Sequence, residues 1–221
     1  MQLLTNAVGR KVLMAVTGIF MVLFIVVHLL GNSSIFVGPD GINAYAAKLH
    51  SLGPVVWVFR AVMLALLLVH VWFGVTLTLE NSAANPAKYA VSRKLKATFS
   101  SETMIWTGLL LLAFIVWHLL QFTVRVTPDI VKGVDAQGRY DVFTMVLTSF
   151  QHTWIALMYV AFMIVLFLHL KHGIQSFFQT LGLSNEKTLP SYGALGMVLS
   201  VIFLVGYCSI PVTILAGILP K

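Results

Sequence analysis

Cysteine is all but missing. Cys208 is the single one in 221 residues, so the chain has no intrachain disulfide and no thiolate set for a zinc or iron–sulfur site. Charge is scarce too: Asp, Glu, Lys and Arg make up 10% of the residues, where soluble domains carry about 25%. Acidic residues are rarest, 7 against 14 Lys and Arg, for a net charge of +7. No Gly-rich phosphate loop and no basic tail with interleaved aromatics occurs, which argues against nucleotide and nucleic-acid binding.

What is abundant is apolar. Hydrophobic residues make up 59% of the chain, and mean hydropathy is +0.93. Five apolar runs have the length of about 20 residues that a helix needs to cross a bilayer: Val12–Leu30, Pro54–Leu79, Met104–Val126, Thr148–Leu170 and Tyr192–Leu219. They lack the period-two alternation of barrel strands, and helices satisfy their own backbone in lipid. The expectation is an all-α membrane protein, one five-helix bundle over residues 1–221. The first run is longer than the apolar part of a signal peptide and no small-residue cleavage site follows it, so it reads as a retained helix.

Five crossings put the termini on opposite sides. The N-terminal side holds Arg10, Lys11, Lys88, Arg93, Lys94, Lys96, Lys171 and Lys187 against Glu80, Glu102 and Glu186; the other side holds six cations and four aspartates. Positive charge marks the cytoplasm, so the N-terminus is expected inside. The 81–97 loop, "NSAANPAKYAVSRKLKA", carries most of the bias and is the expected landing surface for an acidic soluble partner.

Four of the seven histidines lie deep within apolar runs, one in each of the first four: His28, His70, His118 and His169. Ionisable residues at that depth are costly and usually functional; the alternative for any one is a neutral imidazole hydrogen-bonded to the next helix. "FIVVHLL" (24–30) and "FIVWHLL" (114–120) echo each other, with His28 and His118 lying 17 and 16 residues beyond Lys11 and Glu102. At 1.5 Å per residue both sit roughly 25 Å from the inner boundary. His70 and His169 fall in the inner halves of runs of opposite direction, and each has a glycine four residues on, Gly74 and Gly173. Positions i and i+4 share a helix face, and a glycine there leaves room for a flat ligand. In "HLKHG" (169–173) that spacing selects His169 over His172.

Two histidines at each of two levels describe two bis-imidazole metal centres. Zinc usually wants four ligands, often thiolates or carboxylates, whereas porphyrin iron needs only two from the protein. Haem b is favoured; the absence of Cys-x-x-Cys-His excludes covalent c-type haem. With both axial positions filled, such iron passes electrons rather than binding oxygen.

The ordered set "GRKVLMAVTG" (9–18), "HLLGN" (28–32), His70, His118 and "HLKHGI" (169–174) resembles the dihaem cytochrome b membrane anchor of succinate dehydrogenase and fumarate reductase, the single-subunit kind with five helices. The resemblance spans nearly the whole chain. It implies that His70 and His169 ligate a proximal haem b and His28 and His118 a distal one. It also implies a flavoprotein subunit and an iron–sulfur subunit on the cytoplasmic side of a bacterial inner membrane, and menaquinone as the electron partner. Succinate chemistry would lie in those subunits, not here. Some members place an acidic residue at a distal quinol site after the first helix; the corresponding spacing here holds His50, which can exchange protons near neutral pH or be a plain loop residue. Some also carry a glutamate two residues before the fourth-helix ligand; here that position is Phe167.

Other candidates have two readings each. Arg10, Lys11, Arg93 and Lys171 for an inner haem's propionates, and Arg125 and Arg139 for an outer one, are equally interface cations. Trp57, Trp72, Trp106, Trp117 and Trp154 anchor or pack, with Trp106 a further propionate candidate. His152 is an outer-pocket or loop residue. Gln121, one turn beyond His118, bonds a neighbouring helix or faces the outer pocket. The 127–141 loop carries no usable motif, and Pro211 should kink the last helix. The rival readings are a haem b subunit of another respiratory oxidoreductase, or a transporter that uses intramembrane histidines.

Overall fold

The computed structural model describes residues 4, 6–84 and 98–219. Among them the chain is helical apart from connections, with one isolated bridge between Val134 and Tyr140. The α-helices bounded among the described residues are, in order, α1 (Ala7–Ser33), α2 (Pro39–Ser51), α3 (Pro54–Ala83), α4 (Phe99–Glu102), α5 (Met104–His118), α6 (Val142–Gln151), α7 (Thr153–Thr180) and α8 (Leu189–Leu215). Five stretches are long and apolar enough to cross a membrane: α1 with its 3₁₀ extension to Val37, α3, α5 with its π-helical extension to Val124, α7 and α8. The protein is an all-α membrane bundle.

Local chemistry sets the helix starts. The Asn6 side chain accepts a hydrogen bond from Gly9 N at 2.5 Å and caps α1. Gly53, at φ 53°, turns the chain, and Pro54 opens α3, where its missing N–H costs nothing. Thr98 and Ser101 form a reciprocal capping box ahead of α4, and Asp141 caps α6 through Thr144 N.

The fourth span differs from the expected 148–170. Residues 148–151 belong to α6, the chain breaks at His152 with ψ 105°, and α7 then runs on to Thr180. Hydropathy cannot register that break, because α6 is apolar too: Phe143, Met145, Val146, Leu147 and Phe150 are all buried. Beyond Leu170 the helix continues through Lys171, His172 and Gln175, which are polar but tolerated in helices. His152 is exposed, its carbonyl accepting from Ile155 N and Ala156 N; it is a junction residue.

Lipid removes the hydrophobic drive between helices, so close packing of small residues takes its place. α7 packs chiefly on α8, α1 on α3, and α5 and α1 each on α7. At the α7–α8 seam Gly196 and Ser200 are buried, and a Cβ on Gly196 would come 2.8 Å from the Lys171 carbonyl oxygen. α8 continues through Pro211 to Leu215. The side opposite the N-terminus is closed by α2 packed on α6.

Candidate functional site

The four histidines predicted to be ligands meet in two pairs. His28 of α1 faces His118 of α5 with ring centres 5.9 Å apart and planes at 87°. His70 of α3 faces His169 of α7 at 6.4 Å and 65°. His172 makes no ring contact with another histidine among the described residues, so His169 is the residue of "HLKHG" that is paired.

Hydrogen bonding fixes the tautomer of three of these rings. His70 Nδ1 lies 3.0 Å from the Met14 carbonyl oxygen, which only accepts, so Nδ1 carries the hydrogen. His169 Nδ1 lies 3.1 Å from Thr107 Oγ1, whose own hydrogen goes to the carbonyls of Thr103 and Met104. His118 Nδ1 lies 3.1 Å from the Tyr159 hydroxyl, which donates to Gln121 Oε1 at 2.7 Å. In each case Nδ1–H donates and the Nε2 lone pair is left for a ligand.

Glycine matters at positions the sequence reading did not single out. A Cβ on Gly18 would stand 3.2 Å from His70 Cε1, and one on Gly108 would stand 3.4 Å from His169 Cε1. Each follows the threonine nearest the same ring, since Thr17 Oγ1 is 3.4 Å from His70 Nδ1. The signal was legible as a repeat: Met14, Thr17, Gly18, Phe24 and His28 recur 90 residues on as Met104, Thr107, Gly108, Phe114 and His118. Beside Gly74 the nearest atom to an added Cβ is Met14 Sδ at 3.9 Å, and beside Gly173 nothing lies within 4 Å.

A scan of protein families matches residues 78–207, more than half of the chain, to the succinate dehydrogenase/fumarate reductase transmembrane subunit. The chain belongs to that family. The match includes His118 and His169; His28 and His70 precede it and rest on the pairing geometry. No curated protein and no solved structure matches the chain significantly. The subunit is thus a multi-pass membrane component of a succinate dehydrogenase or fumarate reductase complex.

The remaining candidates separate. Arg139 pairs with Asp40 and Asp135, each at 2.7 Å. Arg10 holds Glu80 through two nitrogens at 2.5 and 2.8 Å, yet its Nε is buried with no partner among the described residues; the same holds for Arg125 Nε, whose guanidinium lies over the Tyr140 ring at 5.1 Å. Trp57, Trp72, Trp106 and Trp154 are exposed, while Trp117 donates to Gln121 at 3.1 Å. Gln121 bonds the neighbouring helix through Tyr159, which decides between its two readings. His50 is exposed, 5.3 Å from the Tyr140 ring, and lines an open cleft of about 410 Å³ with Gly53, Pro54, Val56, Trp57 and Arg60. Lys88, Arg93, Lys94 and Lys96, and residues 85–97 of the expected partner loop, lie outside the described residues.

Proposed function

We propose that the subunit is a dihaem cytochrome b anchor that carries electrons between menaquinone and an iron–sulfur subunit. The observation that carries this reading is the pair of opposed imidazole couples, three of whose rings are held as Nδ1–H tautomers with Nε2 free. Two metal–imidazole bonds of about 2 Å, with about 1 Å more to each ring centre, put opposed centres about 6 Å apart. The separations of 5.9 and 6.4 Å fit an iron between each couple. Among the described residues no cluster of three or more His, Cys, Asp or Glu suits a metal ion, which favours porphyrin iron over zinc.

On this reading His70 and His169 hold the proximal haem b and His28 and His118 the distal one. Bound there, haem supplies one-electron iron chemistry. The protein's part is placement. Thr107 and the Met14 carbonyl orient the proximal imidazoles, Tyr159 orients His118, and Gly74 and Gly173 leave open space beside the proximal couple. The orphaned Nε atoms of Arg10 and Arg125 are donors available to propionates. The N-terminus is cytoplasmic, in a bacterial inner membrane, where iron–sulfur and flavoprotein subunits dock; succinate chemistry stays in those subunits. The His50 cleft is the candidate quinone site.

The test is a dithionite-reduced absorption spectrum of the purified chain, with haem counted per chain. Two low-spin haems are expected, with one lost in each of His28→Ala, His70→Ala, His118→Ala and His169→Ala, and none in His172→Ala. A colourless wild-type chain overturns the reading. For the cleft, His50→Ala should lower quinol-linked turnover with both haems retained; unchanged turnover removes His50 from the site.

A further inference from the structure

His118 differs from its counterparts in what lies behind it. His70 ends on a backbone carbonyl, and His169 on a hydroxyl whose hydrogen returns to its own helix. His118 instead begins a chain. Its Nδ1–H donates to Tyr159, the Tyr159 hydroxyl donates to Gln121 Oε1 at 2.7 Å, and Gln121 Nε2 donates to Asp129 Oδ2 at 2.7 Å. The amide orientation is forced: Trp117 Nε1 can only donate, so it needs the Gln121 oxygen, and the Asp129 carboxylate can only accept. Ser149 adds a further donor to the same Asp129 oxygen at 2.6 Å. Every hydrogen in the series points from the ring toward one carboxylate.

The series is built into the fold rather than laid on its surface. Gln121 and Ser149 are fully buried and Tyr159 is 7% exposed. Gln121 lies in the π-helical turn Leu119–Val124 that directly follows His118, and that turn ends at Arg125 in the left-handed region, φ 62°. π-turns interrupt α-helices mostly at functional positions; this one carries the amide that links Tyr159 to Asp129. Burial pushes the Asp129 carboxyl toward higher pKa, but its hydrogen bonds from Ser149 and Gln121 outweigh that and hold it below the usual carboxylate range.

We infer that Tyr159, Gln121 and Asp129 form a one-way relay that positions His118 and lowers the redox potential of the distal haem relative to a neutral surrounding. This rests on the dihaem reading above. Hydrogen bonds aligned in series polarise one another. A carboxylate at the far end draws the imidazole N–H outward and makes the ligating nitrogen more basic, as outer partners of ligating histidines do. A more basic ligand stabilises oxidised iron. All three are positioning residues, acting through His118.

The test is a spectroelectrochemical titration of the haem bands of the full-length protein in the membranes in which it is expressed. Asp129→Asn should raise the midpoint potential of one haem, the one missing in His118→Ala, and leave the other unmoved. Tyr159→Phe keeps the ring packing and breaks the series, so it should shift the same haem upward. Adding Asp129→Asn to Tyr159→Phe should give no further shift. Unmoved potentials in Asp129→Asn overturn the relay, and so does an equal shift in the Tyr159→Phe background, which would mean that the charge acts through space. If Asp129→Asn loses the distal haem outright, recovery in Asp129→Glu supports the relay and no recovery overturns it. A wild-type chain without haem overturns the dihaem reading, whereas two haems with unmoved potentials overturn the relay alone.

Discussion

Thr17 and Thr107 occupy equivalent positions 90 residues apart, yet they do unequal things for the two proximal imidazoles. His70 Nδ1 already has the Met14 carbonyl at 3.0 Å, and Thr17 is a longer second contact at 3.4 Å. Thr107, at 3.1 Å, is the hydrogen-bond acceptor of His169 Nδ1. Removing a sole partner leaves a buried N–H unsatisfied, at about 1–3 kcal/mol; removing a spare one does not. On the dihaem proposal, Thr107→Val should therefore weaken haem retention at the His70–His169 couple, and Thr17→Val should do so much less, as read by haem per chain after detergent challenge. The glycines reverse the order. A Cβ at Gly18 reaches 3.2 Å from His70 Cε1, tighter than ordinary contact, while one at Gly108 reaches 3.4 Å. Gly18→Ala should disturb the proximal couple more than Gly108→Ala, seen as a shifted or broadened α band of one haem. α1 thus meets its imidazole with a backbone carbonyl and a tight glycine, and α5 meets its own with a threonine hydroxyl.

Helix α5 shows what an element adds beyond its residues. Its threonine–glycine pair serves the proximal couple and its histidine the distal one, eleven residues from Thr107 to His118, about 16 Å of helix rise. α1 repeats that layout, and α3 and α7 supply the facing proximal imidazoles. Much of this was legible. Apolar length gave five spans, and the depth of each histidine gave the two couples, because helix rise converts sequence number directly into height. Other features were hidden for identifiable reasons. The break at His152 joins two apolar helices, so hydropathy does not change across it. Tyr159, the partner of His118, lies 41 residues away on another helix, and Asp129, the partner of Gln121, lies 8 residues away in a loop; no periodicity within one helix encodes such contacts. Spacing within one helix points to Gly74 and Gly173, but it cannot point to Gly18 and Gly108, which approach rings on other helices. The α7–α8 seam offers an element-scale prediction. Because a Cβ at Gly196 would meet the Lys171 carbonyl oxygen at 2.8 Å, Gly196→Val must push the helices apart or strain α7. A cost of about 1–3 kcal/mol is expected for such overpacking, read as a lower thermal midpoint in detergent.

At the scale of the molecule, the side opposite the N-terminus is organised around one amide. Asn43 of α2 is fully buried; its Nδ2 donates to Asp135 and Asp141, both at 3.2 Å, and its Oδ1 accepts from Phe143 N at 2.9 Å. That ties the connection between the first two spans to the one before α7. The same connection carries Tyr140, which meets both His50 and Arg125, so the candidate quinone cleft depends on the tie. Desolvation raises the pKa of Asp135 and of Asp141, but hydrogen bonds win at each: Arg139 and Asn43 hold Asp135 low, and Thr144 and Asn43 hold Asp141 low. Carboxyls depressed in the folded state stabilise it fully above their unfolded value of about 3.9, and that contribution is lost as pH falls through the lower folded values. The wild-type cap should therefore loosen below about pH 4. Asn43→Ala removes a donor shared by both carboxylates and strands the buried Phe143 N–H, costing about 1–3 kcal/mol. Its thermal midpoint should be lower at neutral pH, and the acid-side slope should be shallower than wild type, because less depression remains to be lost. A variant whose midpoint falls by the same amount at every pH would show that Asn43 fills space without organising the charges around it.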